Sequence, residues 1–104
     1  MHEGQFSDVI EWQNKTFKQS TAKSKVAHLS QEIKELNDEL NKETQNDNEI
    51  RLEFADCFIL LMGAAASYGL SYKDVVFAIS AKMKINRKRK WGKPDKYGVV
   101  NHVK

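Results

Sequence analysis

The stretch from Phe54 to Leu70 is almost wholly apolar, yet it carries Asp56 within it and Glu53 at its edge. In a chain of 104 residues this run decides most of what can form around it. A membrane-spanning helix needs about 20 apolar residues, and this run is shorter and interrupted by Asp56, Ser67 and Tyr68, so it reads as the central helix of a water-exposed fold. A helix apolar on nearly every side needs neighbours all round it, and three further helices of one small chain cover it only in part. A second copy of the chain is the simple remedy, with Phe58, Leu61, Met62 or their neighbours covered by the partner. Gly63 and the alanines at 64 to 66 permit close helix approach there.

The rest of the chain agrees with an all-α fold. One Pro, five Gly and 30% charged residues, many of them Glu and Lys, favour helices over a turn-rich sandwich or barrel. Four helices in one domain spanning residues 1–104 are expected. The first runs from Ser7 to about Phe17, with Ser7 as its N-cap. The second runs from about Ser24 to Glu43, where Val26, Leu29, Ile33, Leu36 and Leu40 alternate spacings of three and four. Asn46, Asp47 and Asn48 supply turn chemistry before the third helix, Glu49 to Tyr68, and Gly69 suits the left-handed position that ends it. Ser71 and Asp74 then resemble a capping box, with Leu70 and Val75 as its hydrophobic staple, opening a fourth helix from Tyr72 to about Lys88. The segment from Trp91, with Gly92, Pro94 and Gly98, reads as a non-helical tail. The lone Cys57 cannot make an internal disulfide and reads as a packing residue. No signal segment opens the sequence, so the expected compartment is cytoplasmic.

Charge is divided along the chain. Between His28 and Asp56 stand nine acids against three bases, whereas Lys82 to Lys93 holds seven bases and no acid. On the second helix Glu32, Glu35 and Glu39 share a sector of about 60° beside the apolar stripe, with His28 one turn earlier on the same side. On the third, Glu53 and Asp56 share one face of the most apolar helix. An ionised carboxylate buried without a partner costs several kcal/mol, so such acids are normally paired or bound to metal. Arg51 points well away from Asp56, and the second helix offers mainly more carboxylates, which would repel unless a cation stood between them. Glu32, Glu35, Glu53 and Asp56 therefore describe a site for a hard divalent ion, Mg²⁺ or Mn²⁺. The absence of an E-x-x-H arrangement argues against a ferritin-like di-iron site.

Glu32-x-x-Glu35, seventeen residues, then Glu53-x-x-Asp56 resembles the metal-binding signature of the MazG-like all-α nucleoside triphosphate pyrophosphohydrolases. Their core is a four-helix bundle with an acidic pair on each of two helices. Lys82, Asn86 and Arg89 resemble that family's phosphate-binding Lys-x-x-x-Asn element. Trp12 with Lys15-Thr16-Phe17, His28-Leu29, and the ending Arg89-x-Trp91-x-x-x-Asp95-x-x-Gly98-x-x-x-His102-Val103 resemble the dATP/dGTP pyrophosphohydrolase branch common in phages and prophages. One departure is Gln31, where many members carry a glutamate beside the one at Glu32.

The resemblance implies hydrolysis of a purine deoxynucleoside triphosphate, dGTP or dATP, to the monophosphate and pyrophosphate, in the cytoplasm of a cell or of a phage's host. It implies Glu32, Glu35, Glu53 and Asp56 as metal ligands, with one of the two helix-two glutamates also positioning the attacking water, and Lys82, Asn86 and Arg89 on the phosphates. Trp12 could stack on the base and Gln13, Asn14 or His28 read its edge, the alternative for Trp12 being a place in the core. The expected partners are the nucleotide and a second copy of the chain, in a dimer or tetramer, with no membrane. A rival reading makes 82–93, with Trp91 interleaved, a nucleic-acid grip, and another makes the chain a regulatory dimerisation module. Both leave Glu53 and Asp56 without a reason to sit in an apolar helix.

Overall fold

The computed structural model describes residues Met1 to Lys104 and contains four helices, α1 (Glu3–Thr16), α2 (Ala22–Leu40), α3 (Asp47–Tyr68) and α4 (Tyr72–Lys88), with one isolated antiparallel bridge in the tail. Residues 1–72 and 73–104 form two compact units. No single helix is long and apolar enough to cross a membrane.

In the first unit α2 and α3 form an antiparallel hairpin. Its ends are fixed by Lys25, in the first turn of α2, whose buried Nζ donates to Ser67 Oγ in the last turn of α3 at 2.6 Å. That ammonium sits at the negative end of the α3 dipole, where a cation is favoured. Smaller contacts bring α1 onto α3. The core is Phe6, Leu36, Cys57, Leu60 and Ala64.

Caps explain where the helices differ from expectation. α1 starts at Glu3, one turn before Ser7, because the His2 ring accepts the Gln5 N–H at 3.1 Å and so caps the earlier turn. The extra turn carries Phe6 into the core against the Tyr72 ring, and Tyr72 Oη donates to the Met1 carbonyl at 2.9 Å. α2 starts at Ala22 because Thr21 is the N-cap and Ser24 the third helical residue; Ser24 N donates to Thr21 Oγ1 at 3.1 Å and Thr21 N to Ser24 Oγ at 2.8 Å. It stops at Leu40, where Asn41 Nδ2 turns back to the Asn37 carbonyl at 2.7 Å. Asn46 caps α3 by accepting from Glu49 N at 3.1 Å, which draws Asp47 and Asn48 into the helix.

The other end of α3 follows the sequence. Gly69 has φ 115°, its N–H reaches the Ala66 carbonyl, and Leu70 N reaches the Ala65 carbonyl, both at 3.0 Å. This paired closure needs a left-handed residue, which glycine supplies without a Cβ clash. α4 then begins at Tyr72 and ends at Lys88, as the turn chemistry predicts.

Candidate metal centre

The antiparallel hairpin sets the acid pairs of α2 and α3 side by side. Carboxylate oxygens of Glu32, Glu35 and Glu53 lie within 4.8 Å of one another, an arrangement able to hold a metal ion. Asp56 is outside that trio: it is exposed, and with Glu32 it borders an adjoining cavity. Glu39 is engaged elsewhere, accepting from Lys42 Nζ at 2.6 Å.

Two features suit this cluster to a cation. Burial first, then a hydrogen bond and charge repulsion from Glu35, then Asp56 and Glu53, hold the Glu32 carboxyl above its ordinary range. Glu53 Oε2 is buried and accepts no hydrogen bond from the protein. A buried carboxylate oxygen without a donor is costly unless a cation satisfies it. The donor set is hard oxygen, which suits Mg²⁺ or Mn²⁺ over a thiophilic ion. Cys57 stands beside the acids on α3 without joining them: it is buried, and burial, then Glu32, Glu53 and Asp56, push its thiol upward.

The cavity next to the carboxylates has a volume of about 120 Å³ and is walled by Trp12, Phe17, His28, Ile59 and Leu60, with Glu32 and Asp56 at its polar side. Trp12 and Phe17 meet edge to face at 5.6 Å between centroids, and Phe17 meets the His28 ring in the same manner at 6.3 Å. His28 Nε2 is 3.5 Å from Glu32 Oε1, linking the aromatic wall to the acids. Trp12 is 53% exposed and so belongs to this wall and not to the core.

Phe17 and Ile59 are cavity residues that periodicity does not single out. Phe17 follows the last turn of α1, where a helix pattern has ended, and Ile59 is one apolar residue among many. Gln13 is hidden more deeply. It is 1% exposed, its Nε2 donates to the Ile59 carbonyl at 2.7 Å, and its Oε1 has no partner. The Gln13 amide occupies the place a side chain at residue 63 would take: a Cβ built on Gly63 would stand 1.8 Å from Gln13 Oε1. Gly63 is therefore the notch that lets α1 seat on α3 and aim Trp12 at the acids. The sequence signal for it is a glycine at the head of an alanine run, whose counterpart on α1 no spacing rule identifies.

Lys82, Asn86 and Arg89 follow one another at spacings of four and three in the second unit, along one face of α4 and the residue after it. Lys82 is exposed, and Asn86 and Arg89 are half-buried. The Asn86 carbonyl accepts two donors, Arg89 N at 3.3 Å and Trp91 Nε1 at 3.0 Å.

The sequence model of the dATP/dGTP pyrophosphohydrolase family matches residues 6–104. No curated protein matches the chain significantly. Among solved structures, the MazG-like pyrophosphohydrolase of cyanophage S-2L, bound to dGDP and three catalytic Mn²⁺ ions per active site, superposes with a TM-score of 0.78 at 27% identity, over 100% of this chain and 99% of that one. The all-α fold is thus of the MazG-like type.

Proposed function

Because the chain belongs to the dATP/dGTP pyrophosphohydrolase family, we infer that it hydrolyses a purine deoxynucleoside triphosphate, dGTP or dATP, to the monophosphate and pyrophosphate with Mg²⁺ or Mn²⁺. The observation that carries the reading is the carboxylate trio of Glu32, Glu35 and Glu53 with its orphaned Glu53 oxygen, opening on an aromatic cavity. The S-2L enzyme's dGDP and Mn²⁺ support both the nucleotide class and the ion.

Glu32, Glu35 and Glu53 would hold the ions, with Asp56 completing the set from the cavity edge. Bound divalent ions supply the positive charge an acidic site needs to receive a triphosphate and to make water a competent nucleophile. Glu32 and Glu35 are the catalytic pair, one of them orienting the attacking water and taking its proton. Water oxygen bonds to the α-phosphorus as the bond to the bridging oxygen breaks, and pyrophosphate leaves with that bond's electron pair. Lys82 and Arg89 neutralise the leaving pyrophosphate, and Asn86 orients a phosphate oxygen. Trp12, with Phe17 behind it, offers the base an aromatic face, and His28 offers a polar edge.

The same reading includes a second copy of the chain. Leu52, Phe54, Phe58 and Leu61 of α3 are 64, 44, 60 and 53% exposed. Phe54, Phe58 and Leu61 line an apolar groove of about 230 Å³ with Leu29 and Ile33 of α2. A face of this character is what a homo-oligomer buries.

The test is product analysis. The purified protein is incubated with each dNTP and NTP in Mg²⁺ or Mn²⁺, and monophosphate and pyrophosphate are resolved from substrate. Equimolar dNMP and pyrophosphate from dGTP or dATP is expected, and it should disappear in Glu53→Ala. No turnover across the panel, from protein with native circular dichroism, refutes the proposal.

A further inference from the structure

The carboxylate site leaves the tail unexplained, although Trp91, Asp95, Gly98 and His102 are among the residues on which the resemblance in the sequence rests. The second unit gives each of them a mechanical part. Trp91 and His102 are paired in the antiparallel bridge, and their rings meet edge to face at 6.2 Å. Gly92 N donates to the Asn101 carbonyl at 2.8 Å and Val103 N to the Lys90 carbonyl at 2.7 Å, which ties the end of the chain to the exit of α4. At the far end Asp95 Oδ1 accepts from Tyr97 N at 2.8 Å and Val99 N at 2.9 Å, while Asp95 N donates to the Val99 carbonyl at 2.9 Å. Gly98 closes the turn at φ 78°, a conformation side chains resist.

The closed loop makes one further bond, and it is directed at α4. Trp91 Nε1 donates to the backbone carbonyl of Asn86 at 3.0 Å. Carbonyls in the last turn of a helix have no partner within the helix, and that turn frays unless something else binds them. Asn86 and Arg89 lie in and just after that turn, and the Asn86 carbonyl holds the Arg89 N–H as well. We infer that residues 90–103 are a clip whose function is to hold Asn86 and Arg89 in their phosphate-binding geometry, with Trp91 as the positioning residue. The inference rests on the phosphate role given above to Asn86 and Arg89.

Kinetics of the full chain with dGTP and dATP in Mn²⁺ test it. Trp91→Phe keeps an aromatic ring against His102 and removes the indole donor together with part of the ring's area. It should raise KM about ten-fold, the worth of one hydrogen bond at the strong end of its range, and leave kcat within about two-fold. Mn²⁺ binding without nucleotide, by calorimetry, should not change, because the carboxylates are on other helices. In an Asn86→Ala/Arg89→Ala background the same substitution should have no further effect on KM. Asp95→Ala, which opens the turn, should mimic Trp91→Phe, and Asp95→Asn, which keeps the acceptor oxygen, should restore the wild-type KM.

An unchanged KM in Trp91→Phe, while Asn86→Ala raises it, overturns the clip and leaves the phosphate reading standing. A full Trp91→Phe effect in the double-variant background also overturns it, since the ring would then act through something else. If neither Asn86→Ala nor Arg89→Ala changes KM or kcat, the phosphate reading falls and the clip with it.

Discussion

Glu53→Gln keeps the side chain's shape and removes its charge, so it isolates the electrostatics of the carboxylate trio. Two unit charges at the 4.8 Å limit of the cluster repel by about 3.5 kcal/mol at an effective dielectric constant of 20. Glu35 is exposed and Glu32 is half-covered, so water screens most of that, and ~1–2 kcal/mol is a reasonable sum for the two pairs that Glu53 enters. Removing the charge also relieves the buried, unpartnered Oε2. In EDTA the variant should therefore be more stable than wild type by ~1–2 kcal/mol, and for a domain of this size each kcal/mol raises the midpoint by about 4–8 °C.

With Mn²⁺ the order should reverse. A ligand that binds only the native state stabilises it by about 2.7 kcal/mol at 100 times its Kd. The wild type gains that term in full, whereas the variant lacks one anionic ligand, binds the ion more weakly and gains less. Thermal melts of both proteins across a Mn²⁺ titration should thus cross, with the variant higher in EDTA and lower at saturating metal. A variant that melts lower in EDTA but keeps the wild-type Mn²⁺ shift would make Glu53 a structural carboxylate and refute the reasoning.

Gly63→Ala should destabilise the protein by ~2 kcal/mol in urea unfolding, because a Cβ 1.8 Å from the buried Gln13 amide costs more than the ~1 kcal/mol that alanine usually gains in a helix; Gln13→Ala in the same chain should recover most of the loss. Phe58→Glu should shift the protein toward monomer in sedimentation velocity, since it places a charge in the exposed apolar groove of α2 and α3. Trp12→Ala should raise KM for purine dNTPs about ten-fold, from the loss of one stacking face of ~1–3 kcal/mol, and leave Mn²⁺ binding unchanged by calorimetry; equal KM values in the two proteins would remove Trp12 from the base site.

The parts of this protein that sequence reveals are those governed by period and by local chemistry. Leu36 is the buried member of the α2 stripe, while Val26, Ile33 and Leu40 of that stripe stay exposed in the single chain; Cys57 is buried as a packing residue, and Gly69 ends α3 because a local conformation requires it. Glu32, Glu35 and Glu53 could be grouped before the fold was known, because each acid pair is spaced three apart on one helix face with no basic residue placed to neutralise it, but Asp56, grouped with them on the same grounds, lies outside the trio. The ends of α1 and α2 were harder, for a specific reason. His2 caps through one hydrogen bond to Gln5 N and Thr21 through a reciprocal pair with Ser24, contacts local to the first turn, whereas Ser7 and Ser24, nearer the apolar runs, read as the starts themselves.

Contacts between elements are the least legible, and here they do the positioning. Gln13 and Gly63 are separated by fifty residues and fit by shape alone, yet they fix the helix that carries Trp12. The tail makes the same point at shorter range. Trp91, Asp95, Gly98 and His102 have no helical or strand period among them, so pattern analysis yields only a non-helical segment. Their spacing follows instead from a turn closed by Asp95 and Gly98, with Trp91 and His102 opposed at its base. A closed loop bonded to the last turn of α4 acts on the residues of that turn, which is why one set of kinetic measurements decides the clip and the phosphate-binding residues separately.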